Sequence, residues 1–349
     1  MSRIAVTGAA GPVGRRVCAR LLADPDVAGV VAIDRQRLHL PDTTAEDRRR
    51  LEVHRVHLRE ADLGSLLADV DAVVHLAGSD PLEDTAVDHD LLTTGRVLAA
   101  CEAGRVAQLV VRSSATVYGA HPDNPLPLTE SAELRPNDGS PWVQMRARIE
   151  ERVQAFADEH PDVAVAVLRP CVTVSESGPD ELGRVLAAAR VVGPGEDAPP
   201  AQFVHADDVA GAVDVVRRTG ATGAFNVAPD GAVEAERLRA LVGGSPRIPL
   251  PGWLASRLSD IGWRYRLAPT PPGFVPFARE PWVVANDRLR ALGWAPSLTN
   301  DEAYVAGHAA APWAQISPQR RQELALGVAG AVLVGTGTAA AVALRRRLR

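Results

Sequence analysis

Arg3-Ile4-Ala5-Val6-Thr7-Gly8-Ala9-Ala10-Gly11-Pro12-Val13-Gly14 places an apolar run, three spaced glycines and the start of a helix in immediate succession. Strand, glycine turn and helix in that order are what a dinucleotide-binding unit needs. One glycine lets the backbone turn sharply and another lets it approach a pyrophosphate. The helix N-terminus then offers free N–H groups and a positive dipole end to the phosphates. Thr7, Gly8, Gly11, Pro12, Val13 and Gly14 are therefore candidate cofactor residues. An ordinary tight turn has glycines too, so the turn needs support from outside itself.

Asp34 supplies it. It ends the next apolar run, Val30–Asp34, about twenty residues past Gly14, where a carboxylate takes a ribose 2′-hydroxyl. A carboxylate there repels the 2′-phosphate of NADP and favours NAD. Arg35 and Arg37 pull the other way, because an arginine at this point can hold that phosphate.

Further along, short apolar runs alternate with helical stretches, the pattern of a parallel sheet with crossover helices. Candidate strands are Arg3–Thr7, Val30–Asp34, Leu51–Val56, Ala72–Leu76, Leu109–Arg112 and Val163–Leu168. Candidate helices include Val13–Ala23, Leu91–Glu102 and Trp142–His160, the last following Pro141 and stopped by Pro161. The expected fold is a doubly wound parallel α/β sheet of the Rossmann type over residues 1–170, completed by about 202–216. Residues 171–312 read mainly as a smaller substrate lobe, and 313–323 as a linker to an apolar helix over 324–349.

With 349 residues the chain can bury a substantial core. A net charge of -5 gives no basis for binding nucleic acid over the whole surface. All 38 basic residues are arginine; there is no lysine. Cys18, Cys101 and Cys171 lie far apart without metal or redox spacing and read as reduced thiols of a cytoplasmic protein. No secretion signal is expected, since the first strand begins at Arg3, and no metal ligands are assigned.

Beyond the glycine turn, several stretches resemble the extended short-chain dehydrogenase/reductase family, in its NAD-dependent epimerase/dehydratase branch. They are Ala61-Asp62-Leu63, Val74-His75-Leu76-Ala77-Gly78, Ser113-Ser114-Ala115-Thr116-Val117-Tyr118-Gly119 and Leu168-Arg169-Pro170. Phe203-Val204-His205-Ala206-Asp207-Asp208-Val209-Ala210 and Phe225-Asn226-Val227 follow in the same order. The resemblance runs over most of residues 1–300, and the serine-rich stretch is close to that of UDP-galactose 4-epimerases. It implies that Asp62 and Leu63 lie near the adenine and that Leu76, Ala77, Gly78 and Pro170 line the cofactor. It also implies a nucleotide-sugar substrate and a homodimer paired through helices that include the Trp142 segment.

In that family a serine or threonine orients the substrate, a tyrosine exchanges the hydroxyl proton, and a lysine four residues on lowers the tyrosine pKa and holds the nicotinamide ribose. Ser114 matches the first role. Ser140-Pro141-Trp142-Val143-Gln144-Met145-Arg146 puts Trp142 at the tyrosine and Arg146 at the lysine. An indole N–H donates a hydrogen bond but transfers no proton near neutral pH. Arg146 can reach ribose hydroxyls, yet its guanidinium does not titrate. Spaced at i and i+4, the two share a helix face and can still line a cofactor.

Substitutes for the missing acid are few. Tyr118, Tyr265 and Tyr304 are the only tyrosines, and of these Tyr118 sits in the family's structural turn and carries a minor claim. His75, His121 and His205 titrate, with packing or backbone hydrogen bonds the expected role of His75 and His205. Asp208 is expected to cap the following helix. Glu130 and Asp138 precede the Trp142 helix.

Leu324–Leu344 is an uncharged run of 21 residues ahead of Arg345-Arg346-Arg347-Leu348-Arg349. As a helix it would span about 30 Å, roughly a bilayer's hydrocarbon core. A true span exports four arginines, against the positive-inside tendency. A helix lying on the inner membrane face avoids that difficulty, with its arginines on anionic lipid, and a soluble docked helix is the third option.

Two functional classes stay open on these residues. One is an NAD-dependent enzyme of the epimerase/dehydratase type with an altered proton route. The other is a catalytically silent NAD-binding sensor or structural subunit near the membrane. A hydroxysteroid dehydrogenase-like oxidoreductase is a further alternative, because Pro249-Leu250-Pro251-Gly252-Trp253-Leu254 suits a lipid-like substrate.

Overall fold

The computed structural model describes residues 2–41, 43–79, 86–191, 198–241 and 271–308. The chain begins with β1 (Ser2–Thr7), α1 (Pro12–Ala23), β2 (Val27–Asp34), α2 (Ala45–Arg50), β3 (Leu51–Arg55), α3 (Leu63–Leu67) and β4 (Ala72–His75). It continues through α4 (Ala86–Gly104), β5 (Gln108–Arg112), α5 (Pro141–Glu159), β6 (Ala164–Pro170), β7 (Val172–Ser175) and β8 (Gly178–Pro179). Next come α6 (Glu181–Val191), β9 (Phe203–His205), α7 (Ala206–Thr219), β10 (Gly223–Val227), α8 (Ala235–Leu241), α9 (Asp287–Ala291) and α10 (Asn300–Gly307).

Seven parallel strands make the main sheet, in the order β10-β6-β5-β4-β1-β2-β3. Val-, Ile- and Ala-rich strands can be buried on both faces, and Ile4, Val6, Val31, Ile33, Val73 and Val110 are all buried. Winding outward in both directions from β1 and β4 creates a crevice above their C-terminal ends, where open α/β sheets bind ligands.

The sheet closes differently from expectation. Residues 203–205 pair with β7 in a second sheet ordered β8-β7-β9, and 206–219 form a helix. Gly223–Val227 is the seventh main-sheet strand, registered on β6 through Phe225 against Leu168. Asn226 accounts for the position: its side chain accepts from the Tyr118 hydroxyl at 2.7 Å and donates to the Leu128 carbonyl at 3.2 Å, anchoring this strand in the core.

Among the described residues no helix is long and apolar enough to cross a membrane. The Leu324–Leu344 run, its arginine end, the Pro249–Leu254 segment and Tyr265 lie outside the described residues.

Candidate functional site

The C-terminal edge of the sheet gathers the residues that matter. Thr7 ends β1, His75 ends β4, Arg112 ends β5 with Ser113 and Ser114 directly after it, and Pro170 ends β6. Gly8 has φ +70°, a left-handed value that a side chain resists, and a Cβ there would stand 2.7 Å from the Ala77 nitrogen. At Gly14 a Cβ would stand 2.1 Å from the Gly8 carbonyl oxygen. Gly11 differs, since a Cβ would meet only that same oxygen, at 3.4 Å, and the surface above it is open.

Helix α1 starts on Gly11 with no side-chain cap and with Pro12 in its first turn. Its first N–H groups therefore depend on an outside acceptor, which is the condition for anion binding at a helix N-terminus. Asp34 is tied into the same turn: its Oδ2 accepts from the Ala10 N–H at 2.8 Å and its Oδ1 from the Gln36 N–H at 2.8 Å. Arg35 and Arg37 are exposed beside it. Asp62 caps α3, accepting from the Ser65 N–H at 3.2 Å and hydroxyl at 2.7 Å, and Leu63 is buried behind it.

Next to this turn lies a partly open recess. Leu76, Gly78, Ser114, Trp142, Arg146 and Pro170, all assigned from sequence, line it together. Ser114 Oγ accepts from the Thr116 N–H at 3.3 Å and the Thr116 hydroxyl at 3.0 Å, so its own proton is the one left to donate. Trp142 and Arg146 do share one face of α5, with the guanidinium carbon 4.8 Å from the indole centroid. The indole N–H donates to the Ser79 carbonyl at 3.3 Å.

Arg146 is buried against Gly78, where a Cβ would come within 2.4 Å of Nη2. Glycine at 78 gives the guanidinium room to stand there, and any side chain would displace it. Nη2 pairs with Asp90 Oδ2 at 3.2 Å, and Asp90 also accepts from the Ser79 N–H at 3.0 Å and hydroxyl at 2.6 Å. Burial pulls the Arg146 guanidinium below its ordinary value, with Asp90 opposing. Its Nε is buried without a partner, so Asp90 does not use up the donors of the guanidinium, and some are left for a bound molecule such as a ribose. The open glycine, the uncapped helix start and this orphaned donor fit a dinucleotide.

The recess also holds residues that sequence reasoning missed: Arg112, Cys171, Asp180 and, behind Arg146, Asp90. A charge at the end of an otherwise apolar central strand was the available signal for Arg112. Asp90 and Asp180 carry no comparable signal, since acids within helices and loops are usually solvated. Burial pushes the Cys171 thiol well above its ordinary value, and Cys18 and Cys101 up to about 12, so all three are inert thiols.

Tyr118 is not an acid facing the recess. It is fully buried, donates to Asn226, and accepts from Arg169 Nη1 at 2.7 Å. Burial raises its pKa to about 12. Arg169 is itself held by both oxygens of Glu150, which also takes the Ser113 hydroxyl, so the tyrosine belongs to a closed buried network.

Asp208 also departs from its expected role. His205 occupies the N-cap of α7, where its Nδ1 accepts from the Asp207 N–H at 3.4 Å. Asp208, inside the first turn, instead accepts from the Ser297 N–H at 2.7 Å and hydroxyl at 2.6 Å, fastening the C-terminal segment. His75 bonds to Thr7 Oγ1 at 2.7 Å, and burial lowers its pKa to about 4, keeping it neutral. His121 bonds to the Arg135 carbonyl at 2.7 Å, Glu130 accepts from the Asn226 N–H at 2.9 Å, and Asp138 is exposed. Glu176, His205 and Asp207 converge with ligand atoms within 4.8 Å of one another, but Arg16 contacts both acids and supplies the positive charge.

Fold and glycine turn together define a protein of the doubly wound, dinucleotide-binding class. Residues 4–228 match the model of the NAD dependent epimerase/dehydratase family, and the chain belongs to that family. An uncharacterised protein of Mycobacterium tuberculosis is 28% identical over 318 residues, which is 86% of this chain and 82% of that one. An uncharacterised UDP-glucose epimerase of Bacillus subtilis is 30% identical over 132 residues, 34% of this chain and 41% of its own. Among solved structures, MoeE5 in complex with UDP-glucuronic acid and NAD superposes with a TM-score of 0.65 at 23% identity, covering 87% of this chain and 97% of that one. The UDP-glucose 4-epimerase of Thermus thermophilus, in complex with NAD, gives 0.63 at 22% identity and the same coverages.

Proposed function

We propose that this chain binds NAD through the Gly8–Gly14 turn and acts on a nucleotide sugar in the manner of the family's epimerases, with its proton-transfer chemistry altered. The observation that carries this reading is the recess beside the glycine turn. There Ser114 has one proton left to donate and Arg146 has donors that its pairing with Asp90 does not use, a buried Nε among them. Solved structures of similar fold hold NAD with UDP-glucose or UDP-glucuronic acid, which supports the same ligand classes here.

When bound, an oxidised nicotinamide takes a hydride from a sugar carbon and can return it. This chain's residues supply the rest. The uncapped start of α1 receives the pyrophosphate, and Asp34 faces the adenosine ribose and disfavours a 2′-phosphate. Arg146, fixed by Asp90, would hold the nicotinamide ribose. Ser114 donates to the substrate oxygen, and Trp142 forms an apolar wall that excludes water. The NAD site, its nucleotide-sugar lobe within 171–312 and a homodimer through helices that include α5 form one proposal with a cytoplasmic location. Attachment to the inner membrane face through 324–349 is the separable part of it.

The test is single-turnover mixing of the protein with NAD+ and each of UDP-glucose, UDP-galactose and UDP-glucuronic acid. The reading expects absorbance at 340 nm, or epimer formation by NMR, that Ser114→Ala reduces at least tenfold. Binding of the dinucleotide without any such reaction would favour the silent sensor, a reading to which the engaged indole of Trp142 lends weight.

A further inference from the structure

With Trp142 and Arg146 lining the recess from α5, that helix presents no proton carrier there, and another wall of the recess does. Asp180 follows β8 and precedes α6. Among the described residues lining the recess it is the single carboxylate. The other candidates fail on chemistry: serine hydroxyls and an indole are not bases near neutral pH, guanidinium groups stay protonated, and Cys171 is held as a thiol.

Three contacts among the described residues help to fix the geometry around Asp180. Its N–H donates to the Thr173 carbonyl at 2.8 Å, its Oδ1 accepts from the Gly183 N–H at 2.9 Å, and its Oδ2 from Arg112 Nη2 at 3.0 Å. The pair is largely shielded from solvent, with side-chain exposures of 27% for Arg112 and 13% for Asp180. Arg112 is the last residue of β5, two positions before Ser114. One strand end therefore carries both the arginine that holds the carboxylate and the serine expected to hold the substrate oxygen.

We propose that Asp180 is the proton acceptor of this site and Arg112 its positioning residue, an inference that rests on the proposed function. In the oxidative direction the substrate O–H bond breaks and its proton passes to the Asp180 carboxylate. The C–H bond on the same carbon breaks with its electron pair, which leaves as hydride to the oxidised nicotinamide dinucleotide, and a C=O bond forms. The substrate loses two electrons and the dinucleotide gains them. Reversal returns the proton from Asp180 to the oxygen.

The test uses the full chain and Asp180→Asn, with UDP-glucose and UDP-glucuronic acid as probes. NADH binding by fluorescence and nucleotide-sugar binding by calorimetry should stay within about threefold of wild type. The 340 nm transient should fall roughly 100-fold to 10,000-fold, the range a positioned base contributes. Added formate should restore part of that rate in proportion to its concentration, which a structural role would not produce. Because Asp180→Asn leaves Arg112 unpaired, the double variant with Arg112→Met repeats the test with the recess charge balanced. Near-wild-type transients in either folded variant overturn the proposal and leave the proposed function standing. A wild-type protein that binds NADH but reacts with neither sugar overturns the proposed function, and this inference with it.

Discussion

Arg146 Nη2 lies 3.2 Å from Asp90 Oδ2, an ion pair nine-tenths buried between α4 and α5. A lysine on α5 would end in a compact ammonium; the longer forked guanidinium needs space and a counter-charge. Gly78 gives the space, and Asp90 gives the charge. The pair also turns an α5 residue into a fixed element of the recess wall.

Arg146→Met leaves Asp90 as a buried, uncompensated charge and should destabilise the protein by about 3–5 kcal/mol. Adding Asp90→Leu should recover most of that stability in thermal unfolding while NADH affinity stays at least tenfold weakened. Recovery of both would show that the pair has no part in binding.

The glycines separate by role. Gly14→Ala puts a Cβ 2.1 Å from a backbone oxygen and should lower the unfolding temperature sharply. Gly11→Ala meets open space and should fold normally, yet it blocks close approach to the turn and should weaken NADH at least tenfold. Equal effects of the two on unfolding temperature would contradict this division.

His75 makes stability depend on pH. Its folded pKa is lowered to about 4 from 6.5, chiefly by burial. Between those values the unfolded chain binds the proton and the folded one does not, so stability rises with pH. The contribution is fully present above about 6.5 and lost as pH falls toward 4, with a magnitude on the order of 3 kcal/mol. Chemical denaturation at pH 7 and pH 5 should show a smaller difference in His75→Gln than in wild type.

Tyr118→Phe removes a hydroxyl shared by Arg169 and Asn226. It should cost about 1–3 kcal/mol of stability, the penalty for unpaired buried groups, and leave NADH affinity unchanged. A loss of affinity without a loss of stability would return Tyr118 to the site.

What the sequence made legible was local. Strand, glycine turn, helix and Asp34 follow one another within a short stretch, so their chemistry could be read from spacing. The Trp142–Arg146 pairing also followed from helix period. Asp90 meets Arg146, and Asp180 meets the recess, only through the packing of α4 and of the residue after β8, and no spacing announces such contacts. The exchange of 202–216 for Gly223–Val227 in the main sheet has the same origin. Phe203–His205 and Gly223–Val227 are both short strands, and the bonds of Asn226 to Tyr118 and Leu128 mark the one that enters the main sheet.

The central claim is that the turn at Gly8–Gly14 is a working NAD site, and the direct measurement is fluorescence titration of the full-length protein with NADH and with NADPH. The account predicts saturable binding that favours NADH and weakens at least tenfold in both Gly11→Ala and Asp34→Ala, with Gly11→Ala unfolding at the wild-type temperature. Absence of binding, or binding indifferent to both substitutions, would contradict it.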